Sequence, residues 1–163
     1  MTPEDALFSI AEISIGLAGF SGLVAAFVQH EGQSWREDQK ARIVLLIVLS
    51  FGMMVCSLAP YALAGVSASP ALVWGVPMLA FSSLCIGLLA FWVVVSRRCG
   101  FKLFFPLVSI PIIAGAAALQ VLAFLSGLGW IYPYSPTVFV LGFLSILVFG
   151  ANVFLALLYS IWE

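Results

Sequence analysis

Residues 6–29 read ALFSIAEISIGLAGFSGLVAAFVQ, a run of apolar and small residues in which Glu12 is the only ionisable side chain. Wound as a helix at about 1.5 Å per residue, the run spans about 36 Å, enough to cross the roughly 30 Å hydrocarbon layer of a bilayer. Four further runs of the same character follow, at approximately 41–66, 71–96, 106–129 and 137–161. The sequence therefore predicts an all-α integral membrane protein: one domain over 1–163, built as a bundle of five transmembrane helices. A first helix that enters and leaves on one side would reduce this to four spans.

Composition agrees with that reading. Hydrophobic residues make up 64% of the chain and charged residues 8%, where soluble domains average about 45–50% and about 25%. A water-soluble fold of this length has too little interior to hide so much apolar surface, so lipid must cover it. The formal net charge of −1 offers no footprint for nucleic acid. Cys56, Cys85 and Cys99 lack CxxC spacing and read as free thiols, not as a disulfide framework or a zinc site.

The borders of the runs carry helix signals. Thr2-Pro3, Ser69-Pro70 and Ser135-Pro136 each set a hydroxyl residue before a proline, the order expected of an N-cap and first helical position. Ser34-Trp35-Arg36-Glu37 has capping-box spacing and would start the second helix near Trp35. Gly100 suits the stop of the third helix, and Pro60, Pro77 and Pro111 fall inside runs, where they should bend them. A cleaved signal peptide is the rival reading of the first run. Glu4 and Asp5 stand where its basic residues belong, and no A-x-A-like site follows, so the run is read as a retained helix.

All six basic residues lie in two places: Arg36, Lys40 and Arg42 before the second helix, and Arg97, Arg98 and Lys102 after the third. Five spans put both places on one side. The positive-inside rule makes that side the cytoplasm, with the N-terminus out and the C-terminus in. Trp35, Trp74, Trp92, Trp130 and Trp162 fall near helix ends, as an aromatic belt at headgroup depth requires.

Within the first run, Ile10, Ile13, Leu17, Phe20, Val24 and Phe27 form one bulky row. Ser9, Glu12, Gly16, Gly19 and Ala26 form a small-residue row, with Ala11, Ala18, Gly22 and Ala25 beside it. Membrane helices associate by close approach over small residues and by interhelical hydrogen bonds. Helix 1 is thus expected to pack on its neighbours through Glu12, Gly16, Gly19 and Gly22, with the bulky row turned to lipid. A carboxylate about 10 Å below the outer surface needs compensation. Polar partners are offered by Gln120, on a small face of the fourth helix with Ala116, Ala123 and Gly127, and by a fifth-helix seam of Gly142, Ser145, Asn152, Ala156 and Tyr159. Glu12, Ser9, Gln120, Ser145 and Asn152 make up the expected intramembrane polar site or pathway.

Enzymatic readings fail on chemistry. Gly19-Phe20-Ser21-Gly22 matches the GxSG of rhomboid proteases, but the only histidine, His30, lies about 13 Å further along the same helix and cannot take the serine proton. No intramembrane aspartate pair and no H-E-x-x-H or cysteine-histidine cluster exists in the sequence, so no catalytic residue, cofactor or metal site is expected.

Ala11-Glu12-Ile13 resembles the small multidrug resistance transporters, in which a first-helix glutamate after alanine exchanges protons for cationic drugs. That resemblance implies a proton-coupled role for Glu12. It is confined to helix 1, and this chain departs from the family in its length, its fifth span and its strong charge bias. The Glu12 to Gly22 pattern resembles small uncharacterised bacterial membrane proteins, which implies a bacterial inner membrane.

Three functions are carried forward. The first is a homo-oligomeric ion channel or pore, with the six basic residues as a cytoplasmic mouth that concentrates anions. Such a pore would suit a membrane-depolarising effector of an anti-phage or toxin-like system. The second is a non-conducting anchor or accessory subunit whose basic loops dock a cytosolic regulatory protein. The third is a proton-coupled small transporter using Glu12.

Overall fold

The computed structural model describes residues 3–30, 36–66, 69–99 and 106–162. It contains five long helices: α1 (Pro3–His30), α2 (Glu37–Ala64), α3 (Val76–Cys99), α4 (Pro106–Gly127) and α5 (Pro136–Trp162). A π-helical turn, Ala71–Gly75, leads into α3. All five are long and apolar enough to cross a membrane, as the spans of a multi-pass membrane protein must be. α1 is a single uninterrupted helix of 28 residues, about 42 Å long.

Local chemistry explains where the helices begin and end. The Ser69 carbonyl accepts the Leu72 and Val73 amides at 3.0 Å, and the Ser135 carbonyl accepts that of Phe139 at 3.2 Å. Each proline thus sits in the first turn, where an amide hydrogen has no partner to lose. α2 starts at Glu37, two residues after Trp35. Its capping contact runs from the Arg36 amide to Gln39 Oε1 at 3.2 Å, while Thr2, Ser34, Trp35 and Gly100 lie outside the described residues. Before Pro77 the helix widens, the Val76 amide donating to the Ala71 carbonyl five residues back. A π turn of this kind is a known way of accommodating an irregularity in the ladder.

α4 closes on a Schellman motif. Gly129, at φ +79°, donates to Ser126 and Trp130 donates to Leu125, the paired bonds that satisfy the last carbonyls. The turn to α5 is organised by the buried Ser126: its hydroxyl donates to the Tyr132 carbonyl at 2.6 Å, and its own carbonyl accepts the Tyr134 amide at 3.1 Å. Tyr132 and Tyr134 adopt φ of 45° and 54°, a left-handed conformation that costs about 1–2 kcal/mol per residue. Tyr134 is rewarded with a slot lined by glycine. A Cβ on Gly75 would lie 3.1 Å from its ring carbons and 3.2 Å from the Gly127 carbonyl oxygen. Gly75→Ala is therefore expected to destabilise the chain by about 1–3 kcal/mol, read as a lowered midpoint of thermal unfolding in detergent.

α2, α3, α4 and α5 form a ring, and α1 lies outside it in the groove between α2 and α5. Phe81, Phe139, Phe143, Ile146, Met53 and Leu49 fill the centre of the ring. Around the ring, and between α1 and α2, neighbours run antiparallel, while α1 and α5 run parallel: Phe8 stacks near Tyr61, Gln39 Nε2 reaches the Ser160 carbonyl at 3.0 Å, and Ser109 meets Asn152. The starts of α2 and α4 and the ends of α1, α3 and α5 thus share one end of the bundle, so Arg36, Lys40, Arg42 and Arg97 share it too.

Candidate functional site

The face that α1 packs on its own chain is not the one expected. Leu7, Ile10, Ala11, Ser14 and Ser21 are buried against the rest of the chain, and Val24 and Ala25 pack on the core. Glu12, Gly16, Gly19, Gly22 and Ala26 are exposed. Nothing lies within 4 Å of where a Cβ would stand on Gly16, Gly19 or Gly22. The row read as lipid-facing is accordingly split, with Ile10 in the core and Ile13 and Phe20 outside.

Two physical facts account for the reversal. The small residue that permits close approach comes from the neighbour: Gly150 of α5 receives Leu17, whose Cδ2 lies 3.5 Å from the missing Cβ. The serines of the buried row are chemically quiet. Ser14 donates to the Ile10 carbonyl at 2.6 Å and Ser21 to the Leu17 carbonyl at 2.7 Å, so both hydroxyls are satisfied within the helix and pack as small apolar groups.

The five residues of the expected polar site do not converge. Ser9 donates to the Asp5 carbonyl at 3.2 Å, within its own helix. Gln120, fully buried on α4, donates to the Gly142 carbonyl at 2.8 Å and approaches Ser145 Oγ at 3.5 Å. Asn152 Oδ1 accepts the Ser109 hydroxyl at 3.2 Å. Gln120, Ser145 and Asn152 are therefore bonds of the α4–α5 seam. Glu12 stands apart because α1 borders α2 and α5, with α4 on the far side of α5. Among the described residues Glu12 has no hydrogen-bond or ion-pair partner.

Sequence reasoning did not single out Ser109, the hydroxyl that meets Asn152. Its signal was available, as Ser109, Ala116, Gln120 and Ala123 recur at spacings of three, four and seven on one face of α4, and all four are buried.

The basic mouth is also altered. Arg36 Nε lies 3.2 Å from Asp38 Oδ1, and Lys40 Nζ lies 2.7 Å from Glu37 Oε1. Arg42 is buried, its guanidinium 5.7 Å from the centre of the Trp92 ring, within cation–π range. Trp92 is thus held inside against this cation instead of joining an exposed aromatic belt, whereas Trp130 is exposed on the α4–α5 turn. Arg97 is exposed; the Arg98 side chain and Lys102 lie outside the described residues. Cys85 is buried and Cys56 half-buried, both as free thiols.

What distinguishes this bundle of five apolar helices is therefore an outward helix face that carries one carboxylate and a run of glycines. No protein-family model, curated protein or solved structure matches the chain.

Proposed function

We propose that the protein is a homo-oligomeric ion channel or pore of a bacterial inner membrane, in which the α1 helices of several copies meet through their Glu12 faces around an aqueous path. A role in depolarising that membrane, as a toxin-like or anti-phage effector, is the use such a small pore would serve. The N-terminus would lie outside and the basic end of the bundle in the cytoplasm.

One observation carries the reading: Glu12 is exposed on the outside of the bundle, about a third of the way along an apolar helix, with no partner among the described residues. Facing that carboxylate to acyl chains costs on the order of 3 kcal/mol per copy on insertion scales. Turning it toward water between copies removes the cost, and Gly16, Gly19 and Gly22 allow the helices to approach closely enough to do so. The centre of each chain is filled by phenylalanine and aliphatic side chains, which favours a path between copies over one through a single bundle.

Purified protein in liposomes is expected to release trapped potassium, and Glu12→Gln to change the rate of release by about tenfold. An inert protein that remains a monomer in detergent and in lipid overturns the proposal.

A further inference from the structure

Among the described residues, the charges that face outward and those neutralised within the chain divide unequally, and the division predicts which ions pass. We infer that the path beside Glu12 conducts cations and excludes anions, with the Glu12 carboxylate as the selecting group; this rests on the pore reading above.

Three of the six basic residues that would otherwise draw anions are held by the chain itself. Arg36 and Lys40 lie in ion pairs with Asp38 and Glu37, at 3.2 Å and 2.7 Å, and Arg42 is buried over Trp92. Arg97 is exposed, but at the end of α3, where the helix reaches water. Charges in water are screened within about 8 Å at physiological ionic strength. Glu12 lies about 27 Å from the α1 terminus at that end, by helical rise, far beyond the reach of Arg97.

Glu12 itself is placed where a charge acts most strongly. It is the only Asp, Glu, Lys or Arg between Asp5 and His30, and it carries no ion-pair partner among the described residues. Low-dielectric walls on either side would focus its field along the path, and each added copy would contribute one more carboxylate at the same depth. Rings of carboxylates are a general means of selecting cations.

The zero-current potential of the full chain in planar bilayers under a KCl gradient decides the matter. A potassium-to-chloride permeability ratio of about ten is expected, falling toward one in Glu12→Gln and kept in Glu12→Asp. Arg97→Gln should leave the ratio unchanged. A wild-type pore that prefers chloride, or does not discriminate, overturns the inference while the pore itself stands. So does a ratio that moves with Arg97→Gln and not with Glu12→Gln. Complete absence of current in every reconstitution removes the pore, and this inference with it.

Discussion

Leucine at Gly19 is expected to dissociate the assembly while leaving the five-helix chain folded. Nothing lies within 4 Å of the position its Cβ would take, so the added side chain starts into open space on the outside of its own bundle. Glycine is about 1 kcal/mol worse than alanine in a helix interior, and the substitution should raise the stability of an isolated chain slightly. Between copies the same side chain occupies the space through which two backbones approach, and membrane helices have no hydrophobic driving force with which to absorb the separation. The oligomer should therefore give way to monomers in native mass spectrometry, with ion release from liposomes lowered by about tenfold or more. Gly150→Leu provides the contrast. Its Cβ would stand 3.5 Å from Leu17 and 4.0 Å from Leu46, so it should loosen α1 from its own chain and lower the unfolding midpoint. If Gly19→Leu keeps the oligomer intact, copies do not meet through this face.

That contrast shows where sequence reasoning reached and where it stopped. The number of helices and two of their starts, at Pro70 and Pro136, were legible because they depend on run length and on residues adjacent in sequence. The 3–4 spacing on α1 was legible as well, but not which of its faces meets the chain. Ser14 and Ser21 look polar in a sequence and become apolar once each bonds the carbonyl four residues back. The glycine that receives Leu17 lies on α5, at position 150, where no local pattern ties it to α1. The mouth failed for the same reason of distance: Arg42 is removed from the surface by Trp92, 50 positions away, which burial and a ring contact place beside it. The pairing of Gln120 with helix 5 needed only that α4 and α5 be neighbours across a short turn, whereas the pairing of Gln120 with Glu12 needed α1 and α4 to touch.

Phe143→Ala should have the largest effect on the chain itself, about 3 kcal/mol, equivalent to a change of roughly 150-fold in the folding equilibrium. The ring lies 4.1 Å from that of Phe81 and 4.6 Å from that of Phe139, measured between centroids, and all three are essentially inaccessible. In water much of such a cost would be transfer free energy. Here the ring moves between a protein interior and acyl chains of similar polarity, so the cost is carried by lost ring contacts and by the cavity left among α3 and α5. Helix content should not change, because α5 is long and apolar enough to remain a span without its neighbours, and alanine is the better helix former. The loss should appear instead as helix separation, read as an earlier midpoint in titration with a denaturing detergent at constant far-ultraviolet circular dichroism. Leu144→Ala, one residue along on the exposed side of α5, removes a side chain outside the core and should shift the midpoint by no more than about 0.5 kcal/mol. Equal losses at the two positions would mean that α5 presents a different face to the ring of helices.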